Sequence, residues 1–178
     1  QIRYMFFFSY IISYIWIINS CPTAPFEDID FKKINGSWYA IQGIEHGELR
    51  GNRQHNSSYL CPIVKLISTQ PNEIHFIFDK KNENKPTIYN LNFNEKNSSI
   101  WIPKKDDLKQ SPFNSIQVTT LTDNALLLTL CSEKRKASVV LSRNDTFNTT
   151  ITKNAKETLI QKFMEIKGTF DRCIKKYK

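Results

Sequence analysis

Asn35-Gly36-Ser37-Trp38-Tyr39-Ala40-Ile41-Gln42 carries the strongest structural signal in this chain of 178 residues. The glycine permits a close backbone approach that a side chain would block, and the residues after it alternate with a period of two, which is typical of a β-strand. The stretch follows a hydrophobic N-terminal segment and a cysteine, and short strand-like runs come after it. We therefore interpret it as the first strand of an all-β domain.

Seven more runs of apolar and β-branched residues follow, separated by polar turns rich in Asn and Lys. We predict strands over residues 58–67, 74–78, 87–93, 99–102, 115–120, 125–131 and 137–142. Pro62 lies inside the first of these runs, where an edge or a bulge would tolerate it. Many short strands separated by turn signals indicate a barrel or a sandwich, and the absence of alternating helical runs argues against a parallel sheet.

One amphipathic helix is predicted after the last strand. Thr152 is a suitable N-cap residue, and Gly168 is a suitable end signal. Ile160 and Met164 flank an apolar stripe with helical spacing, which consists of Ala155, Leu159, Phe163 and Ile166. We expect this stripe to pack against the sheet, rather than to bind a membrane or a partner protein.

The N-terminal residues have the parts of a secretory signal. Arg3 precedes an apolar run from Tyr4 to Ile18, and the small Ser20 comes directly before Cys21. Signal peptides combine a basic start, an apolar middle of about 7 to 15 residues and a small residue at the cleavage site. A membrane span needs about 20 apolar residues. We predict that residues 1–20 are a signal peptide, that residues 21–178 are one mature domain, and that the protein is secreted without stable membrane insertion.

The chain is basic, with 25 Lys and Arg against 17 Asp and Glu, a formal charge of +8. These charges are scattered, which indicates a solvated surface, although a positive field also favours anionic partners. Because the basic residues are not interleaved with aromatic residues in a nucleic-acid motif, we expect no nucleic-acid partner. The length and a hydrophobic content of 40% suit one domain with its own core.

Four cysteines, Cys21, Cys61, Cys131 and Cys173, form an even set. In a secreted chain such a set predicts two disulfides, and the residues alone allow three pairings. A metal site is not expected, because no paired Cys-x-x-Cys spacing is present.

Asparagine sequons also indicate a secreted protein, and we predict glycosylation in loops at Asn56, Asn97, Asn144 and Asn148. A fifth sequon, at Asn35, abuts the Trp38 stretch.

Two short motifs resemble those of the lipocalins, and specifically the arthropod insecticyanin, bilin-binding and apolipoprotein D type. One is Gly36-Ser37-Trp38-Tyr39, which matches the first family motif, and the other is Leu141-Ser142-Arg143, which matches the third. The resemblance implies that Arg143 lies over the Trp38 indole, a cation–π contact worth about 0.5 to 2 kcal/mol. Between them, Asp123-Asn124 retains only part of the remaining family motif, so the chain looks like a divergent member.

The resemblance implies a fold and a disulfide frame. The fold is an eight-stranded antiparallel up-and-down β-barrel, the lipocalin calyx, with one C-terminal α-helix packed outside. In the family frame an N-terminal cysteine bonds to the seventh strand and a cysteine of the second strand bonds to the C-terminal tail. Carried onto this chain, the frame pairs Cys21 with Cys131 and Cys61 with Cys173.

Alternation predicts which residues face the barrel interior. We orient the first strand by placing Trp38 inside, and we orient the second and seventh strands by placing Cys61 and Cys131 outside, where the tails can reach them. Leu66 and Leu130 then also point inward. The predicted lining, which also supplies the candidate ligand contacts, consists of Ala40, Gln42, Ile44, Leu60, Val64, Phe76, Tyr89, Leu91, Phe93, Leu126, Leu128 and Val139.

Two functions suit such a barrel. In the first, a largely apolar interior carries a small hydrophobic ligand, such as a pigment, bilin, fatty acid, sterol or other lipid. In the second, the protein inhibits or binds a host or receptor protein and uses the barrel as a scaffold; an interior filled by Phe76, Phe93 and Trp101 would favour this function. No catalytic motif is present, so we expect no enzyme. By resemblance to blood-feeder lipocalins, His75 is a candidate haem ligand, and an exposed strand histidine is the simpler interpretation.

Overall fold

Eight antiparallel strands follow one another in an up-and-down order and close into a barrel. The computed structural model describes residues 27–47, 61–79, 85–133, 135–146, 148–171 and 173. The strands are β1 (Gly36–Glu45), β2 (Ile63–Gln70), β3 (Glu73–Asp79), β4 (Thr87–Asn94), β5 (Asn97–Pro103), β6 (Ser115–Thr122), β7 (Ala125–Cys131) and β8 (Lys136–Ser142). The barrel closes because β1 pairs with both β8 and β2. The predicted fold class is confirmed.

Because the strands alternate in direction, the barrel has two different ends. The closed end is where β1, β3, β5 and β7 begin, and the short helix α1 (Phe31–Ile34) leads directly into β1 there. Asp30 caps this helix by accepting a hydrogen bond from the Lys32 amide, at 3.0 Å. The mouth is the opposite end, where a longer connection that includes helix α2 (Lys105–Leu108) joins β5 to β6.

Helix α3 (Thr149–Gln161) packs on the outside of the barrel, as predicted. Its buried residues Ala155 and Leu159 join an outer cluster with Ile41, Leu127 and Val140. The barrel thus has two apolar layers, one inside and one between its outer wall and α3. Burying apolar side chains on both faces of these strands stabilises the fold by about 25 cal/mol per Å² of apolar surface.

The start of α3 differs from the prediction. Asn148 is the N-cap residue, and its Oδ1 accepts hydrogen bonds from the amides of Thr150 and Ile151. Thr152 lies inside the first turn, where its Oγ1 donates to the carbonyl of Thr149. The prediction of Thr152 as N-cap was wrong because Asn148 satisfies the free amides one turn earlier.

The end of α3 also differs. The helix ends at Gln161, and Phe163 adopts a positive φ of 57° with 99% of its surface exposed. The Phe163 amide donates to the carbonyl of Ile160, and the Met164 amide donates to the carbonyl of Leu159, both at 2.9 Å. These two bonds form a Schellman motif, which turns the chain away before the predicted stripe reaches Phe163. The predicted packing of Phe163 was therefore wrong, whereas Met164 does join the outer cluster.

A ninth strand was not predicted. β9 (Gly168–Asp171) pairs with the mouth half of β1, so Gly168 begins a strand and does not end the helix. A disulfide follows directly, joining Cys173 to Cys61 with a Cα–Cα distance of 4.5 Å, which confirms that predicted pair. Cys131 is also disulfide-bonded, and its predicted partner Cys21 lies outside the described residues, as does the predicted signal peptide. None of the helices that the structure describes is long and apolar enough to cross a membrane.

Candidate functional site

The floor of the barrel is built around Trp38, which is 1% exposed. Its Nε1 donates to the carbonyl of Ile34 at 2.7 Å, so the last residue of α1 holds the indole in place. The Arg143 guanidinium lies 3.7 Å from the centroid of the indole ring. The cation–π contact implied by the two motifs is therefore present, and it covers the ring from the outside.

Arg143 also ties three backbone segments together. Its Nη1 and Nη2 donate at 2.7 to 2.9 Å to the carbonyls of Lys33, Asn35 and Ser37. Gly36 lies between these acceptors with a φ of +113°, a conformation that side chains rarely adopt, and a Cβ there would stand 3.1 Å from Nη1 of Arg143. We call Trp38, Gly36 and Arg143 the floor clamp. It explains why both motifs, about 100 residues apart, meet at one end of the barrel.

Most predicted lining residues lie on the inner face. Ala40, Val64, Phe76, Leu91, Leu126 and Leu128 belong to the buried inner cluster, and Tyr89, Phe93 and Val139 pack against it with part of their surface exposed. Leu66 and Leu130 also belong with this group. Leu60 lies outside the described residues. Contact of these residues with a ligand stays a prediction.

Gln42 and Ile44 do not line the interior. The register of β1 against β8 shifts between Ala40 and Gln42, so the residues beyond this bulge change face. Ile44 packs in the outer cluster beneath α3. The Gln42 amide donates at 3.0 Å to Asp171 of β9. The predicted inward orientation was wrong for both, because one extra residue in a strand reverses the alternation beyond it.

The closed-end half of the interior is filled by aromatic rings. Trp101 is fully buried, and its Nε1 donates to the carbonyl of Ser98 at 2.9 Å. Phe93 stacks on Phe31 of α1 with 4.1 Å between ring centroids, and Phe31 lies 6.3 Å from Trp101. These contacts pack the closed-end half of the barrel interior as a core.

A second aromatic group lies toward the mouth. Phe113, in the connection between β5 and β6, is 2% exposed and meets Phe76 and Tyr89 edge-on at 6.2 and 5.2 Å. Its backbone is held by Ser111, whose Oγ donates to the Phe113 carbonyl at 2.6 Å. Phe113 was not among the predicted lining residues because it lies in a polar loop without periodicity. A single large aromatic residue in such a loop was the available signal.

On the mouth side of these rings, several side chains of the inner wall remain partly exposed to solvent. Four apolar side chains in the mouth half contact the inner cluster and keep part of their surface exposed; they are Phe78, Tyr89, Leu130 and Val139. We call these residues the mouth cup. They supply partly exposed apolar surface, with one phenol group, on the inner face of β3, β4, β7 and β8. Such a surface suits a small hydrophobic molecule held by burial and by one or two hydrogen bonds.

His75 does not reach this interior. Its neighbours Ile74 and Phe76 belong to the inner cluster, so alternation puts His75 on the outer face of β3. There its Nε2 lies 3.3 Å from Glu73, which Lys104 also contacts at 2.6 Å. The described side chains contain no group that could hold a metal ion. These contacts agree with the simpler interpretation of His75 as a strand histidine on the outside.

His46, directly after β1, links three parts of the mouth-side wall. Its Nδ1 donates to the carbonyl of Glu165 at 2.8 Å, so in the neutral ring Nε2 accepts from Ser138 Oγ at 2.7 Å. Ser138 in turn lies 3.0 Å from Thr129. Because Ser138 is only 3% exposed, this His–Ser pair is closed to a substrate and serves as a structural tether.

The tether makes stability depend on pH. Burial lowers the pKa of His46 below its ordinary value of 6.5. The unfolded chain therefore binds the proton first, and the free energy of unfolding is expected to fall as the pH drops below about 6.5, until the folded-state pKa is passed. Urea unfolding over a pH series measures this slope. His46→Gln is expected to flatten it, and parallel curves for the two proteins would contradict the assignment.

A cleft of about 310 Å³ lies at the closed end, where it also reaches Ile34, Trp38 and Leu126 of the inner cluster. It is lined in part by Glu27, Asp28, Asp30, Lys33 and Asp123. Each of the four carboxylates accepts a hydrogen bond from the surrounding chain, for example Asp123 from Lys33 at 3.1 Å. These acids therefore secure α1 and the strands beside it.

The predicted glycosylation sites that the structure describes lie at the closed end. Asn97 begins β5 after the hairpin from β4, Asn144 follows the end of β8, and Asn148 caps α3. Asn144 and Asn148 are exposed, and Asn97 is half-buried. Asn56 lies outside the described residues. Their modification stays a prediction.

No protein-family model matches this chain, and no curated protein sequence matches it.

Proposed function

We propose that this chain is a secreted, divergent lipocalin that carries a small hydrophobic molecule in the mouth cup. The observation that supports this most is the apolar, partly exposed inner wall of Phe78, Tyr89, Leu130 and Val139 above a sealed floor. An apolar surface that remains accessible inside a barrel gains free energy when a ligand covers it, at about 25 cal/mol per Å².

The floor clamp supports membership of the lipocalins. The family motifs imply an arginine stacked on the first-strand tryptophan, and Arg143 occupies that position over Trp38. The outer helix and the disulfide from the second strand to the tail agree with the family frame. Disulfides persist in oxidising compartments, which supports the proposed secretion together with the sequons and the N-terminal apolar segment.

The shape of the interior narrows the proposed ligand class. Phe93 and Trp101 occupy the closed-end half, which leaves little depth for an extended acyl chain. Toward the mouth, Phe76 and Phe113 are buried against Tyr89, which keeps part of its surface exposed. Aromatic rings pack well against other flat ring systems in offset or edge-on arrangements. A short, planar molecule such as a pigment or a bilin therefore fits this proposal better than a long fatty acid.

A charged substitution in the mouth cup tests the proposal. Leu130→Lys is expected to weaken binding of biliverdin or retinol at least tenfold, because a lysine head group would have to be desolvated against the ligand. The matched control is Ile88→Lys, since Ile88 is 50% exposed and lies next to Tyr89 on the outer face of β4. Fluorescence titration of the purified proteins provides both affinities. Equal affinity for the two variants, or no binding by the wild type, would contradict the carrier function.

The second candidate is a secreted interaction protein. It is favoured by the filled lower half of the barrel, where Trp101 is 0% and Phe76 5% exposed, and by Phe113 packed across the mouth side. In this case the barrel is a rigid scaffold for a surface that binds a host or receptor protein. Native mass spectrometry of the secreted protein distinguishes the candidates. A stoichiometric small molecule supports the carrier, and a clean apo mass without probe uptake supports the scaffold.

A further inference from the structure

Phe163 is unusual both in its exposure to solvent and in its backbone conformation. The side chain is 99% exposed, although aromatic rings are normally at least partly buried, and the backbone has a φ of 57°, which bulky residues rarely adopt. Ile160, whose carbonyl accepts the Phe163 amide hydrogen bond, is 63% exposed. We call these two neighbouring side chains the apolar knob.

The fold does not require this aromatic ring. Phe163 occupies the position after the helix C-cap in the Schellman motif, where glycine is preferred because it has no Cβ. The motif is secured by backbone hydrogen bonds and by Met164 in the outer cluster, which are independent of the Phe163 side chain. A ring that is disfavoured by the backbone and is 99% exposed in the part of the chain that the structure describes suits a contact with a partner.

The surroundings of the knob are basic. Lys153 and Lys156 precede Ile160 at spacings that put all three on one side of α3, and the whole chain carries a formal charge of +8. Lys153 is largely exposed and lies 3.8 Å from Glu157. Aliphatic and aromatic side chains beside lysines are the combination by which peripheral proteins bind anionic bilayers. Charge complementarity therefore favours an anionic lipid surface over a neutral one.

The knob lies beside the outer wall of the barrel, because Lys162, directly before Phe163, donates to Thr119 in the middle of β6 at 2.6 Å. The chain after Phe163 then leads toward the mouth. Two residues after Phe163, the Glu165 carbonyl accepts a hydrogen bond from His46, and the Lys167 amide donates to Glu45 at the mouth end of β1. The predicted glycosylation sites Asn97 and Asn144 lie at the closed end of the barrel, and Asn148 lies at the opposite end of α3 from the knob. Sugar chains at these sites would leave the knob free to approach a flat surface.

We propose that the apolar knob inserts into the interfacial region of an anionic lipid bilayer and holds the barrel at the membrane surface. This contact does not require the carrier function.

Vesicle co-sedimentation tests the proposal. At low ionic strength the wild-type protein is expected to bind vesicles of phosphatidylcholine with about 30% phosphatidylserine and to bind pure phosphatidylcholine vesicles several-fold less. Phe163→Gly is expected to reduce binding to the anionic vesicles about fivefold, and the further change Ile160→Gln is expected to abolish it. Ile88→Gln is the control, because it removes an isoleucine of similar exposure from another face and should leave binding unchanged.

The same variants distinguish a functional ring from a structural one. Phe163→Gly is expected to raise the melting temperature by a few degrees, because glycine tolerates the positive φ. Weaker vesicle binding together with a higher melting temperature supports the proposal. A lower melting temperature, equal binding to both vesicle types, or wild-type binding by Phe163→Gly would each overturn it. A wild-type protein that binds neither vesicle type would also overturn it and would leave a protein pocket as the target of the knob.

Discussion

The double replacement Cys61→Ser and Cys173→Ser is expected to lower the free energy of unfolding by about 4 kcal/mol. This disulfide closes a loop with a sequence separation of 112 residues. In the chain-entropy model a loop of that length is worth about 4.8 kcal/mol, and measured values are often lower. Both cysteines also contact the outer cluster, where a serine hydroxyl would pack less well. Since about 1 kcal/mol shifts the melting temperature by roughly 2 to 4 °C in a chain of this size, we expect a decrease of about 8 to 16 °C.

Loss of this disulfide is expected to destabilise the region around β9 before the rest of the barrel. Cys173 comes just after β9, which otherwise holds to β1 through a short ladder of backbone bonds. Hydrogen exchange should therefore show faster opening of β9 than of β7, which is paired on both sides. Replacing both cysteines avoids a free thiol that could pair wrongly, and chemical reduction is not equivalent because Cys131 is also disulfide-bonded. A loss below about 1 kcal/mol would show that the loop is already constrained without this bond.

Strands were predictable because their signals are local. The alternation and the turn residues around Ala125–Cys131 gave a strand with the bounds that the structure has, and the same signals located β3 to β6 and β8 to within a few residues. The floor clamp was predicted from the family resemblance, because its two motifs, about 100 residues apart, are short and specific. For each strand, the residues that decide the structure lie within one short stretch.

The errors arose where distant contacts or backbone hydrogen bonds override the pattern of side chains. The bulge between Ala40 and Gln42 adjusts β1 to its pairing with β8, which no pattern within β1 records. The helical spacing continues in sequence through Phe163, but backbone hydrogen bonds had already turned the chain at the end of α3. Phe113 joins the inner cluster from a loop whose sequence has no periodic hydrophobic pattern. These residues determine the shape of the interior, so the fold was predicted better than the candidate site.

Arg143→Ala is expected to lower the free energy of unfolding by about 3 kcal/mol. The change removes a cation–π contact worth about 0.5 to 2 kcal/mol. It also removes donors from three backbone carbonyls, where a bond from a charged group is worth about 1.5 to 3 kcal/mol and losses at one side chain are not additive. A melting temperature lower by roughly 6 to 12 °C in a thermal scan would be the readout.

Two further variants separate the contributions of Arg143. Arg143→Lys keeps a cation near Trp38, but lysine has no planar fork of donors that could reach three carbonyls. Its decrease in the free energy of unfolding should therefore lie between zero and that of Arg143→Ala. Arg135→Ala is the matched control, because Arg135 pairs with Glu45 at the rim of the mouth and is about half exposed. Such a pair is worth about 0 to 1 kcal/mol. If Arg143→Ala lowers the free energy of unfolding no more than Arg135→Ala, the floor clamp does not hold the closed end, and the proposed membership of the lipocalins loses its strongest physical support.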